Sequence, residues 1–161
     1  EKISRNNFLG YSIKGLPQKD NAVDYILQEY FLPYEQVTSF IQQFSILVNT
    51  YDINVLNVTA RHVLKDQESF LSFAPHNDMC ALVIYIKLPL THKTELAIKK
   101  WSRAIIDQVI AHNGTYYLPY HLFATQEQFE AVYSQWRMFL KIKQNYDPNC
   151  FFTNKLYECY V

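Results

Sequence analysis

Glycine is scarce in this chain of 161 residues: three occur, and none stands in a GxGxxG or P-loop arrangement. A nucleotide's phosphates need a glycine-rich loop whose backbone can close around them, so this chain is not expected to cradle one by itself. An excess of either charge is also missing. Fifteen Lys and Arg balance fifteen Asp and Glu, with no basic run, which argues against a protein that tracks the phosphates of a nucleic acid. Cysteine is limited to Cys80, Cys150 and Cys159, without CxxC spacing and within apolar runs. The three read as reduced, buried thiols of an intracellular protein, not as a disulfide frame or a metal site. His76, His92 and His112 have no second ligand at i+4, so no metal is expected. No stretch approaches the ~18 apolar residues of a membrane span, and the opening from Glu1 does not resemble a signal peptide.

What is present in quantity is aromatic. Thirteen Tyr and eleven Phe supply large apolar bodies, and the Tyr add polar tips, which suits either the edge of a core or a surface facing a ligand or partner. The length fits one domain. Residues 1–23 are polar and irregular, and "DYILQEYFLP" then reads as a strand stopped by Pro33. Val37, Phe40, Ile41, Phe44 and Val48 recur at helical spacing. "INVLNVTARHVL" and "CALVIYIKLPL" are β-branched, alternating runs, with a polar loop over 65–79 between them. Ile98, Trp101, Ile105 and Val109 mark a second helix ended by Asn113-Gly114 as a left-handed cap. "TYYLPY", containing Tyr117, is a short strand. "ATQEQFEAVYSQWRMFLKIKQ" opens with a capping box of Thr125 and Gln128 and a staple of Ala124 and Phe129. It carries Phe129, Val132, Tyr133, Trp136, Phe139 and Leu140 inward. The order predicts an α+β fold: a ferredoxin-like antiparallel sheet with helices on one face, plus an extra C-terminal helix and tail.

Alternation along the two strands taken to be central sorts their side chains. Leu56, Val58, Ala60, Leu64 and polar His62 share one face with Cys80, Leu82, Ile84, Ile86 and Leu88, the face to be covered by helices. Asn57, Thr59, Arg61, Tyr85 and Lys87 fall on the other, among Val55, Val63, Ala81 and Val83. A plain solvated face is one reading. Polar groups over an apolar floor equally describe a binding wall. Two cations, Arg61 and Lys87, on one face predict mutual repulsion and an anionic partner. His121 closes a short strand before a capped helix and could point into the same cleft.

The chain closes on "KIKQNYDPNCFFTNKLYECYV". Pro148 pushes Asp147 out of the helical region and stops the helix, yet Phe151, Phe152, Leu156 and Tyr157 follow and should pack on something, around a buried-looking Asn154. Lys143, Tyr146, Asp147 and Pro148, followed by Phe152-Thr153-Asn154-Lys155-Leu156, resemble the carboxyl-terminal signature of FAD-linked oxidases of the vanillyl-alcohol-oxidase type. "QEYFLP", "LPLT" and "YLPYHLFATQEQF" are similar to landmarks of the branch holding sugar-lactone oxidases and decaprenylphosphoryl-ribose oxidases. The likeness runs from about Tyr25 to Leu156.

The resemblance implies a division of labour. Residues 1–24 would be a lead-in from an N-terminal FAD-binding domain, and 25–161 the substrate, or cap, domain. FAD would be bound mainly by that other domain, and hydride would pass to it from a carbinol of a sugar, sugar lactone or lipid-linked sugar. Arg61 and Lys87 resemble the family's cationic strand residues, and His121 lies where relatives carry a Pro-His pair. Thr59 stands where some relatives have a carboxylate. Asn57, Thr59, Tyr85 and Tyr117 would meet substrate, and Asn154 would lie near the flavin. The balanced charge argues against a nucleic-acid partner and the reduced cysteines predict a cytoplasmic location, with peripheral association with a membrane left open. The competing class is a free-standing ferredoxin-like module that binds a small molecule or regulates. An RNA-recognition module would need aromatic signatures that these strands lack.

Overall fold

A computed structural model of the chain describes residues 23–89 and 94–160, and the lead-in and the "LPLT" landmark fall largely outside them. Strand β1 (Val23–Pro33) runs into a single 3-10 turn (Tyr34–Gln36) and helix α1 (Val37–Thr50). Strands β2 (Asn54–Val63) and β3 (Met79–Pro89) follow, then helix α2 (Thr94–Ala111) and the two-residue strand β4 (Thr115–Tyr116). Helices α3 (Gln126–Val132), α4 (Trp136–Tyr146) and α5 (Lys155–Tyr160) complete the chain. The strands pair antiparallel in the order β2-β3-β1-β4. This is the split βαβ arrangement, an α+β ferredoxin-like sheet with added C-terminal helices.

The core lies between the sheet and helices α1 and α2. From the strands it takes Ile26, Tyr30, Leu32, Leu82, Ile84 and Ile86, and from the helices Phe40, Phe44, Ile98, Trp101, Ile105 and Val109. Gln28 shares that face and is satisfied within it, since its amide donates to Ser102 Oγ at 2.8 Å and its carbonyl accepts from Tyr30 Oη. Helix α2 ends with Asn113 in the left-handed region (φ 55°). Gly114 follows because a Cβ there would lie 2.6 Å from the Phe31 carbonyl oxygen.

Several sequence expectations need correction. β1 and β3 are the central strands, while β2 is an edge. The helix-side core reaches only its start, at Val55, so Leu56 and Val58 stay 45% and 46% exposed although the pattern assigned them to the core. A bulge between Val55 and Asn57 shifts the register, and a shift of one residue turns a side chain to the other face. Val55 therefore pairs with Ile86 and packs on the core, and Asn54 joins Lys87 on the opposite face. Ile41 of α1 is exposed.

The expected single C-terminal helix breaks after Val132, where Tyr133 leaves helical geometry (ψ 67°). Its buried hydroxyl donates to the Tyr116 carbonyl, which holds the break in place. The capping box forms: Thr125 Oγ1 accepts from the Gln128 amide, and Gln128 Oε1 accepts from the Thr125 amide. Helix α4 buries no residue, so Phe139 and Leu140 are only half-buried.

Helix α4 stops at Tyr146, and the Asp147 carboxylate then clamps the turn. It pairs with Lys143 and accepts from the Phe151 and Phe152 amides at 2.9 and 3.0 Å. The Lys143 ammonium, aided by those amides, pulls the Asp147 carboxyl down to a pKa of about 2. Phe151 and Phe152 themselves remain about four-fifths exposed, at 79% and 80%, so they are not core. The tail is anchored instead by Tyr160, which stacks on Phe129 at 4.3 Å. Cys80 is buried, whereas Cys150 and Cys159 are exposed, and all three are free thiols.

Candidate functional site

The helix-free face of the sheet is fixed by its register. From the edge inward it carries Asn57, Thr59, Arg61 and Val63 of β2, and Met79, Ala81, Val83, Tyr85 and Lys87 of β3. Tyr25, Leu27, Glu29 and Phe31 of β1 and Thr115 of β4 continue it. One end is roofed by the loop over 64–78. Phe73 stacks on Phe31 at 4.5 Å, Tyr117 meets Phe73 edge-on at 6.1 Å, and Ala74, Met79 and Ala81 are buried with them. Thr115 Oγ1 donates to the Phe73 carbonyl at 2.6 Å and ties the loop down. Among the described residues, no helix lies over the rest of the face.

Beside the roof lies an ion pair that crosses the sheet. Arg61 Nη2 donates to Glu29 Oε1 at 2.8 Å, with the Arg61 side chain 54% exposed and Glu29 only 8%. Arg61 stands opposite Ala81, and Glu29 opposite Val83, with β3 between the two strands. The guanidinium therefore reaches over β3 at the level of two small side chains. Thr59, level with Val83 and Glu29, accepts from Asn57 Nδ2 at 3.2 Å.

The other end is open. Tyr25 and Tyr85 stack at 5.4 Å, and Lys87 stands beside them, half-buried and paired in register with Tyr25 and Asn54. A groove of about 730 Å³ at this end lies on the helix side, lined by Val48, Val55, Ile86, Leu88, Ile98 and Trp101, with Asn54 and Lys87 at its border.

The structure thus puts Arg61 and Lys87 on one face but does not bring them together. Six residues of β3 separate their levels, about 20 Å at ~3.3 Å per residue. The expected repulsion is absent, because that distance exceeds the screening length of about 8 Å and Arg61 already has a carboxylate partner. Asn57, Thr59 and Tyr85 lie between the two cations. Tyr117 joins the roofed end, its amide donating to the Glu29 carbonyl at 2.9 Å. His121 lies off the face, beside β1. It stacks on Phe123 at 4.8 Å and lines, with Glu29, Tyr117, Tyr120 and Ser102, a cavity of about 20 Å³, room for about one water. Burial holds its imidazole below the ordinary histidine range, against a weaker upward pull from Asp24, so it is neutral at pH 7.

Asn154 is exposed and is not part of this face. Its side chain caps α5 by accepting from the Tyr157 amide at 2.9 Å, and α5 is anchored to the helix-side core. Glu29 was missed by sequence reasoning. The available signal was an acid between Leu27 and Phe31 on an otherwise apolar strand face, where a buried carboxylate requires a partner.

Among the described residues, no helix is long and apolar enough to cross a membrane. The family model for D-arabinono-1,4-lactone oxidase matches residues 2–160. No curated protein matches the chain.

Proposed function

Because the chain belongs to the D-arabinono-1,4-lactone oxidase family, we propose that it is the substrate domain of an FAD-dependent oxidoreductase. It would serve oxidation of a carbinol in a sugar lactone or related sugar. The observation that carries this reading is the helix-free sheet face, where Arg61, Thr59, Asn57, Tyr85 and Lys87 stand over an apolar floor. A face of donors above Val83 and Ala81 is suited to hold hydroxyl and carbonyl groups in a fixed orientation.

Among the described residues, no glycine-rich loop is present to hold the diphosphate of FAD. The only glycine among the described residues, Gly114, is packed against Phe31 and Val109 and has no room for a phosphate. We assign the cofactor's phosphates to a separate flavin-binding domain of the same polypeptide, the partner of this one, and membership of the oxidase family supports that reading. FAD, when bound, supplies a two-electron acceptor. This chain supplies donors: Lys87 and Tyr85 at the open end, and Arg61 at the roofed end. Neutral His121, off the face but sharing a small cavity with Glu29 and Tyr117, can hold a proton at its unprotonated ring nitrogen.

The test is anaerobic mixing of the flavin-loaded full-length polypeptide with D-arabinono-1,4-lactone. Stoichiometric bleaching of the flavin's visible band is the expected result. An oxidised spectrum that persists with the lactone and with free alditols would contradict the proposal.

A further inference from the structure

We infer that Glu29 is a positioning residue for Arg61, and that their pairing makes the site select an uncharged lactone over its ring-opened carboxylate. This rests on the proposed function. Arg61 sits on an edge strand with its side chain 54% exposed, and a long cationic side chain there would normally sample many rotamers. Glu29 removes that freedom. Its carboxylate is 8% exposed on a central strand, and a buried carboxylate without a partner is strongly unfavourable. The pair at 2.8 Å therefore holds the guanidinium across β3, at the level of Ala81 and Val83.

The side chains under this bridge are small, which lets it lie close to the sheet. One N–H of the guanidinium is committed to Glu29, and among the described residues the remaining four donors have no partner and can meet a ligand above the floor. What the ligand meets is a neutral pair. Carbonyl and hydroxyl oxygens gain hydrogen bonds from it. A carboxylate gains the same bonds but meets the Glu29 charge directly behind them.

The experiment uses the flavin-loaded full-length polypeptide with D-arabinono-1,4-lactone as reductant and D-arabinonate as the charged probe. Arabinonate binding is read by calorimetry, independent of turnover. In Glu29→Gln the maximal rate of flavin reduction by the lactone should fall about 10-fold, as the loosened donor fork loses its aim. Arabinonate should bind about 5-fold more tightly, the size of one exposed ion pair, with the gain fading as salt rises. Glu29→Asp should recover part of the rate. Glu95→Gln, which removes an ion pair with Lys99 on α2, should change neither reading.

Arabinonate affinity that is unchanged or weaker in Glu29→Gln would overturn the inference. Should that variant fail to fold, Glu29→Asp decides, since it keeps the charge and shortens its reach: slower lactone-driven reduction with unchanged arabinonate affinity supports the positioning role, and an unchanged reduction rate overturns it. Wild-type protein that no lactone reduces would count against the proposed function, while the arabinonate comparison would still report on the pair.

Discussion

Arg61 and Lys87 should act independently, and a double-mutant cycle measures whether they do. Their levels on β3, Ala81 and Lys87, are six residues apart, about 20 Å along the strand. Two unit charges at that distance in water interact by roughly 0.2 kcal/mol. Screening over about 8 Å at physiological salt reduces this to a few hundredths of a kcal/mol. The Glu29 partner of Arg61 lowers it further. Arg61→Ala and Lys87→Ala should each slow flavin reduction, and in the double variant the two factors should multiply. The coupling energy should stay below about 0.5 kcal/mol, the ordinary limit for separated sites. Stopped-flow reduction of wild type, both single variants and the double variant, without oxygen, provides the four rates. A coupling above about 1 kcal/mol would show that the two cations share one small site and refute the two-ended description of the face.

Gly114→Ala should destabilise the fold by about 1–3 kcal/mol through overpacking. Its Cβ would lie 2.6 Å from Phe31 O, 2.8 Å from Leu32 Cδ1 and 2.9 Å from Val109 Cγ1, and urea titration reads the loss. Because burial depresses the His121 pKa, the unfolded chain takes up this proton first as pH falls. Stability should therefore decline as pH drops through the ordinary histidine value of about 6.5, and Tm measured across that range should show a smaller decline in His121→Gln. A thiol reagent should find two reactive cysteines in the native protein, Cys150 and Cys159, and all three after denaturation without reductant. A single thiol in the denatured sample would mean a disulfide.

The sheet was legible because strand alternation is a local property. Leu82, Ile84 and Ile86 face the helices and Val83, Tyr85 and Lys87 face away, as period two requires. Alternation does not register an inserted residue, so the bulge at Val55–Asn57 and the transfer of Val55 to the core went unread. Nor does it say which strand is outermost. Leu56, Val58 and Ala60 of β2 read as a core face, yet Val58 stays 46% exposed because β2 is an edge and strand order is a tertiary outcome. The break before α4 is similar, since Tyr133 leaves the helix to place its hydroxyl on the Tyr116 carbonyl seventeen residues earlier. The position of Arg61 on its face followed from spacing, but its partner lies thirty-two residues upstream. Side-chain pairing at that range leaves no periodic trace. Asn154 misled for the opposite reason: an amide among aromatics looked buried, while the Asp147 clamp projects Phe151 and Phe152 outward.

The central claim is that chemistry happens on the helix-free face, and adjacent residues of β2 can test it. Thr59 and Val58 are both exposed on the same edge strand but point to opposite faces, Thr59 level with Val83 and Val58 level with Ile84. Thr59→Trp and Val58→Trp therefore add the same bulk, one on each side of the sheet. The measurement is the rate of flavin reduction by D-arabinono-1,4-lactone in the full-length polypeptide, with Tm recorded for both variants. Thr59→Trp should slow reduction by about 10-fold or more, while Val58→Trp should leave it near the wild-type value, with both Tm values close to wild type. Equal rates in the two variants, or a loss confined to Val58→Trp, would contradict the claim.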